Sequence, residues 1–384
     1  MQYSLEASWS TSPAVTSLGD SPKTLDAALE TALDELLAGD FQSRWETAKR
    51  LSSFGEAVIQ PLLEWLHDDE LDWEVRWFAT RILGDFGQAE VVSALLDLFG
   101  TADDEELRQG AADALTRIGP LSVTALSCLL QDPVRKEVAA RALTQIRHSS
   151  TVSPLLTLAQ DEAAPLRAMA IGALGGYRDS RIGPTIQAAL TDPVAAVRLE
   201  AARALGNHGG WLGQADPVTL LEPCLQDLSL EVCLAAIASL GRLSTPRAAE
   251  LLLKLVQTAT TPMPLQQAAI QALGWMETPT AVASLLTLWA EASAEQRLVI
   301  LAALSRQSHE TLKQQAARAV MEWLPALPVS PEQSRLRQQA ALALGQLGWV
   351  EASSLLQTLV DDPDEAVSLH AIAALRNLDN FPAS

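Results

Sequence analysis

Large aromatics crowd one early stretch of the chain. Trp45, Trp65, Trp73, Trp77 and Phe78 lie there with Arg76 and Arg81 among them. Indole faces attract cations and bury much area, so this combination suits a flat ligand or a protein partner anchored by the rings. Wide rings serve equally as a cap over the first core layers of a helical protein. Lys49, Arg141 and Arg203 recur at the spacing of Arg81. Lined up on one surface, these cations would take a carboxylate-bearing ligand or an acidic partner. Paired with acids on their own helices, they would be ordinary surface charge. Trp45, Trp73, Trp77, Phe78, Arg81, Arg141 and Arg203 are thus the candidate partner- or ligand-binding residues, and none is a catalytic candidate.

Sulfur and imidazole groups are sparse. Cys128, Cys224 and Cys233 are the three cysteines, and none forms a C-x-x-C pair. Cys224 and Cys233 are brought near each other by the repeat, but iron–sulfur or zinc ligation calls for more ligands at tighter spacing. They are weak metal candidates and read first as buried, inert thiols. His67, His148, His208, His309 and His370 occupy unrelated positions. The sequence carries no nucleophile elbow, phosphate loop, zinc-peptidase motif or dinucleotide fingerprint, so no cofactor is called for.

The elements that must position these residues repeat. With Arg76 as position zero, Ala79 stands at +3 and Leu83 at +7. The same frame starts at residues 44, 76, 108, 136, 167, 198, 233, 266, 297, 337 and 368, a period near 31. Position +7 is Leu in all eleven frames, and +3 is Ala in nine, with Thr47 and Ile300 in the other two. Offsets of three and seven mark one face of a helix, with small Ala admitting a neighbour and Leu filling the layer above. Gly follows that Leu at 84, 175, 206, 241, 274 and 345, which predicts a helix end. A second apolar helix fits between anchors, joined by QDP, TDP or DDP turns in which Pro opens a helix. Each pair has two faces to bury, so the pairs must stack. The prediction is an all-α solenoid, HEAT/armadillo-like, of about eleven helix pairs over residues 24–378. Residues 1–23, rich in Ser and Thr, and 379–384 read as tails. Two stretches break the period: NHGGWLGQAD (207–216), with an exposed Trp211, and LPALPVSPEQ (324–333), a loop or helix extension.

TDPVAAVRLEAARALG (Thr191–Gly206) resembles the short HEAT repeat named after phycobilisome lyases. That likeness implies a superhelix whose second helices line a concave side, with the turn Asp and the repeat Arg forming a structural ladder; Asp161 precedes Arg167, and Asp192 precedes Arg198, by six residues. VRWFATRILG (75–84) also resembles a stretch of one phycobilin lyase subunit. A second aromatic pair belonging to that stretch is replaced here by Arg81 and Ile82. Among full-length arrays of this kind, the sequence looks most like the cyanobacterial HEAT-repeat proteins that associate with an A-type iron–sulfur carrier, through VRWFATRILG, LEVCLAAIASLGRLSTP and QALGWME. The HEAT-type deoxyhypusine hydroxylases hold a diiron centre with several His-Glu dipeptides; this chain has one, His309-Glu310, which disfavours that activity.

Bulk composition agrees with stacked helices. Of 384 residues, 48% are hydrophobic and only 5% aromatic, so close-packed Ala and Leu dominate. The net charge of −20 opposes nucleic acid and anionic lipid. No uncharged apolar run nears the ~18 residues of a membrane span. The first residues lack the basic flank and apolar stretch of a secretory signal, which, with few cysteines, reads as cytoplasmic. The expected function is a non-catalytic scaffold or assembly factor that binds a protein, a phycobiliprotein or an iron–sulfur carrier. The alternative is a phycobilin lyase or lyase subunit attaching a bilin to a phycobiliprotein cysteine.

Overall fold

The computed structural model describes residues 22–207 and 215–380. The tails expected at 1–23 and 379–384 fall mainly outside these residues, as do Trp211 and His208. The chain forms two compact units, Met1–Ala142 and Leu143–Ser384. The first holds α1 (Pro22–Ala38), α2 (Phe41–Leu51), α3 (Ile59–Leu66), α4 (Trp73–Leu83), α5 (Ala89–Thr101), α6 (Glu105–Ile118) and α7 (Val123–Leu129). The boundary falls within α8 (Lys136–Gln145). The second unit continues with α9 (Val152–Leu158), α10 (Ala164–Leu174), α11 (Ile182–Ala189), α12 (Ala195–Leu205), α13 (Pro217–Leu221), α14 (Leu230–Leu243) and α15 (Pro246–Gln257). It ends with α16 (Met263–Met276), α17 (Pro279–Trp289), α18 (Ala294–Leu304), α19 (Glu310–Trp323), α20 (Ser334–Leu347), α21 (Ser353–Leu359) and α22 (Glu365–Asn380). Among the described residues there is no β-strand. The architecture is an all-α solenoid of helix pairs.

Local chemistry explains where these helices start. Asp40, Asp72 and Asp104 accept backbone N–H groups at the heads of α2, α4 and α6. Asp216, Thr245 and Thr278 do so for α13, α15 and α17, each followed by Pro in the first turn. A side-chain acceptor and a preset φ together fix these three starts. Pro133, Pro193 and Pro363 of the QDP, TDP and DDP turns, expected to open helices, lie instead in the turns before α8, α12 and α22. LPALPVSPEQ becomes two short 3₁₀ turns, Leu324–Ala326 and Pro331–Gln333, around a loop.

The even-numbered helices carry the repeat frame. All nine +3 alanines are buried, and ten of the eleven +7 leucines have no exposed surface. Leu375, the eleventh, is only half-buried. It lies in α22, the last described helix. Each buried Leu is worth roughly 1.5–3 kcal/mol, so this row is a major part of the core.

Of the glycines after the +7 leucines, Gly84, Gly175 and Gly206 end α4, α10 and α12 as expected, whereas Gly241, Gly274 and Gly345 lie inside α14, α16 and α20. Gly84 has φ −63°, an ordinary right-handed value. Gly274 lies inside α16. What they share is crowding: a Cβ on Gly84 would come 2.9 Å from Cα of Ala114, and one on Gly274 would come 2.7 Å from Cβ of Ala303. Both neighbours are at +6 of the next even helix. Glycine is needed so that two backbones can approach.

The repeated Arg forms a ladder, with its partners shifted one repeat along from the expectation. Arg167 donates to the Asp161 carbonyl at 2.8 Å, while its Nε and Nη2 grip the Asp192 carboxylate at 2.8 and 2.9 Å. Arg198 likewise donates to the Asp192 carbonyl and grips Asp227 at 2.7 and 2.8 Å. Arg337 grips Asp362 at 2.9 and 3.1 Å. In the first unit Arg44 holds the Leu36 and Leu37 carbonyls and pairs with Glu74. Each of these four guanidinium groups therefore staples its own turn through a carbonyl and the following turn through a carboxylate, whereas Arg76 meets both the Leu66 carbonyl and the Asp69 carboxylate of its own turn.

Candidate partner-binding surface

Helices α2 and α4 bring the early aromatics together. Phe41 and Trp45 sit four apart on α2, with ring centres 6.1 Å apart. Trp77 and Phe78 follow each other on α4, 5.1 Å apart and edge to face. Phe78 also meets Phe41 at 5.5 Å and Trp45 at 6.4 Å. It has no exposed surface. Phe78 was a candidate contact residue; instead it is the buried floor on which the other rings rest.

Trp45 and Trp77 share a repeat position, but no ring stacking joins them among the described residues. Arg81 links them. Its guanidinium carbon lies 4.6 Å from the Trp45 ring centre and 5.7 Å from that of Trp77. Burial, and secondarily the neighbouring Arg117, depress its pKa from the usual arginine value, while Asp85 and Asp113 act the other way. Among the described residues no carboxylate reaches ion-pair distance of Arg81. A cation held between two indole faces is worth about 0.5–2 kcal/mol per contact and is positioned before any ligand arrives. Phe41, half-exposed, forms an apolar rim beside it. Trp73, the first residue of α4, also remains half-exposed.

The other cations at the Arg81 spacing behave differently. Lys49 pairs with Glu46 at 3.0 Å, Arg141 with Glu137 at 3.3 Å and Arg203 with Glu200 at 2.7 Å, each within its own helix. These are the exposed i,i+3 and i,i+4 pairs that contribute little. Arg141 and Arg203 also belong to different compact units. Cys224 and Cys233 are both buried. Desolvation pushes the Cys224 thiol up to about 11, with Asp227 and Cys233 adding to it, and also raises Cys233. Such thiols are poor nucleophiles at neutral pH. Among the described residues no group of three or more His, Cys, Asp and Glu is placed to hold a metal ion. No described helix is long and apolar enough to cross a membrane.

Three further tryptophans escaped the repeat frame. Trp289 and Trp323, at the ends of α17 and α19, stack 4.0 Å apart and 4° from parallel, with Arg297 5.2 Å from the Trp289 ring. Trp275 near the end of α16 is 70% exposed, with Arg306 5.1 Å from its ring. The frame was anchored on the second helix of each pair. Aligning the first helices separately would have placed the LLTLW ending of α17 and the VMEW ending of α19 side by side; Trp275 lies on a second helix, two residues past the frame.

Comparison with known proteins agrees with this geometry. Residues 29–116, 59–144, 152–233, 182–264 and 220–305 match the model of HEAT repeats, and 336–362 match the PBS lyase HEAT-like repeat. No curated protein matches the sequence. The fold is similar to Kap121p bound to Ste12p, at 16% identity and TM-score 0.59, over 94% of this chain and 45% of that one. Kap121p bound to RanGTP gives 17% identity, the same TM-score of 0.59 and the same coverages of 94% and 45%. Importin beta gives 16% and 0.51 over 92% of this chain and 56% of that one. The chain thus spans less than half the length of Kap121p.

Proposed function

Since the chain belongs to the HEAT-repeat family, we propose that it is a non-catalytic scaffold or assembly factor that engages a protein partner. The contact surface is the one formed by Phe41, Trp45, Trp77 and Arg81. The observation that carries this is Arg81: a guanidinium with no carboxylate partner among the described residues, held between two part-exposed indoles, on a chain of net charge −20. Aromatic rings with Arg are the residues that dominate protein interfaces. Repeat arrays offer extended surfaces for such contacts. Kap121p, similar in fold, is seen bound to Ste12p and to RanGTP, which supports a binding role.

Within this reading the partner is an iron–sulfur carrier or a phycobiliprotein chain in a cyanobacterial cytoplasm. A second reading, a phycobilin lyase or lyase subunit, is favoured by the PBS lyase HEAT-like match at 336–362. One experiment separates them. Tagged protein is used to capture partners from a phycobilisome-containing lysate, scored by mass spectrometry and visible absorbance. A colourless eluate enriched in iron–sulfur assembly proteins supports the scaffold reading. Phycobiliprotein chains with bilin absorbance move the partner to the antenna, and bilin transfer to a chain cysteine by the purified protein would establish the lyase. Capture unchanged in a Trp77→Ala/Arg81→Glu variant would remove the α2–α4 surface.

A further inference from the structure

Three of the eleven frames start on an uncharged residue in place of the ladder cation: Cys233, Gln266 and Ser368. The ladder carboxylates Asp192 and Asp362 stand 25 residues after their arginines and six before the next frame start. Glu291 stands 25 residues after Gln266 and six before Arg297, which is the same place in the repeat. After Cys233 the two corresponding places hold Thr258 and Thr260. Around Gln266 the ladder thus keeps its acid and lacks its cation.

The carbonyl half of the rung is present as well. Arg44 donates to the Leu36 and Leu37 carbonyls at the end of α1, and Arg297 to the Trp289 and Ala290 carbonyls at the end of α17. The helix before Gln266 is α15. Its last two carbonyls, Val256 and Gln257, accept no hydrogen bond among the described residues; the N–H of Thr258, just past the helix, goes to Lys254. Such helix-end carbonyls take their partners from outside the helix.

Glu291 is exposed, and among the described residues no cation reaches ion-pair distance of it. Arg297, its neighbour along the turn, is held on the Trp289 and Ala290 carbonyls. Asp192 has the same neighbour in Arg198 and still accepts the fork of Arg167, so a cation at this place leaves the acid free to grip another. Gln296 Nε2 donates to Gln266 Oε1 at 2.9 Å, while its Oε1 accepts from the Ser293 N–H at 2.8 Å. The two amides link α16 to α18 and leave Glu291 and the α15 carbonyls unbridged.

A cavity of about 110 Å³ lies here. Val256 and Gln257 line it from α15, Thr287 from α17, Glu291 from the turn that follows, and Gln296 from α18. Gln257, Thr287 and Glu291 are exposed, so its mouth opens on the surface. A helix C-terminus and a carboxylate both favour a cation. Serving a carboxylate and carbonyls at once suits the planar, many-donor guanidinium better than a compact ammonium.

We propose that this cavity binds a guanidinium group, supplied by an arginine side chain of a partner protein. Glu291 takes the fork and the α15 carbonyls take the remaining N–H groups, so the incoming arginine completes the rung that Gln266 leaves unmade. The site lies within the second unit and does not rest on the α2–α4 surface.

The test titrates the full chain with acetyl-Gly-Arg-Gly-amide and with its lysine counterpart, read by ligand-observed NMR. The net charge of −20 attracts both peptides alike, and only the cavity distinguishes them. The arginine peptide is expected to bind saturably, with a Kd on the order of 1 mM, and about tenfold more tightly than the lysine peptide. Glu291→Gln alters one of 47 acidic residues, at an exposed position, and is expected to weaken binding about tenfold. Gln266→Arg supplies the guanidinium from within and is expected to abolish binding; should that variant fold poorly, Glu291→Gln decides alone. The proposal is overturned by equal affinity for the two peptides, by no saturation up to about 10 mM, or by unchanged binding in Glu291→Gln. Binding of methylguanidinium without binding of the arginine peptide would overturn the assignment to a protein side chain.

Discussion

Arg198 and Asp227 stand 29 residues apart in sequence, yet share two hydrogen bonds of 2.7 and 2.8 Å. The geometry is the planar fork of guanidinium on carboxylate, and each group also serves its own turn: Arg198 donates to the Asp192 carbonyl, and Asp227 accepts from the Ser229 N–H. Arg337 and Asp362 repeat the arrangement with side chains only 2% and 3% exposed. Removing one partner of an enclosed pair leaves the other charge stranded. Asp362→Ala is therefore predicted to cost about 3–5 kcal/mol. Asp227→Ala should cost less, because its pair is more accessible, at 16% and 12%. Urea unfolding followed by circular dichroism measures both, and equal midpoints for Asp362→Ala and parent would refute the ladder's structural weight.

The same pairs predict how stability responds to acid. The hydrogen bond from Arg167 holds the Asp192 carboxyl below its ordinary value, and Arg198 does the same for Asp227. A carboxyl whose folded pKa lies below its unfolded value of about 3.9 contributes fully above that value. The contribution drains away as pH falls through the lower folded pKa. The melting temperature should thus keep their full contribution, with no pH dependence from these groups, between about pH 7 and 5, then drop below about pH 4. An Asp192→Asn/Asp227→Asn variant starts lower at neutral pH and loses less on acidification. Calorimetry showing parallel curves for the two proteins would count against this.

Glycine substitutions should split by what stands opposite. Ala is favoured over Gly in a helix by about 1 kcal/mol. In Gly274→Ala and Gly345→Ala the new Cβ falls 2.7 Å from Ala303 Cβ and 2.7 Å from Ala374 Cβ, with backbone just behind. Overpacking of about 1–3 kcal/mol outweighs the propensity gain, so both variants should be destabilised. Gly172→Ala meets instead the Glu200 carboxylate, the far end of a flexible side chain. It should be neutral or slightly stabilising. Thermal melts of the three variants decide the matter, and a stabilised Gly274→Ala would show that the helices can move apart at little cost.

Adjacent residues on α4 should separate cleanly in function. Phe78→Ala empties a fully buried site and is predicted to cost about 3–5 kcal/mol. Trp77→Ala with Arg81→Glu removes part-exposed groups and should leave helicity by circular dichroism unchanged while abolishing partner capture. Loss of helicity in the double variant would assign those two residues to the core as well.

The repeat frame, the helix pairing and the buried Ala and Leu rows were legible because a three-seven spacing has one physical meaning on a helix. Phe78 was misplaced for a related reason: spacing puts a residue on a face, but Trp77 and Phe78 are consecutive, and only packing shows which of them turns inward. The aspartate partners of the arginines were assigned to the wrong turn because sequence distance favours the nearer acid, whereas the backbone presents its carbonyl there and leaves the carboxylate for the repeat before. The glycines were read only as punctuation, which holds for Gly84, Gly175 and Gly206; the close approach between helices that they also permit leaves no mark in a single segment. Trp289 and Trp323 were passed over because they stand on the odd helices, outside the anchored frame, and Trp275 because it lies two residues past the last frame position of α16.

The forward-leaning clasp gives this array a direction. Asp192 serves Arg167, Asp227 serves Arg198, and Asp362 serves Arg337, so each of these three repeats depends on the one after it for a counter-ion. Shortening the chain from the front removes a guanidinium and leaves an aspartate that water can satisfy. Shortening it from the back, just before Asp362, strands the nearly buried Arg337. The two ends of the solenoid are therefore not interchangeable as sites for trimming, fusion or added repeats.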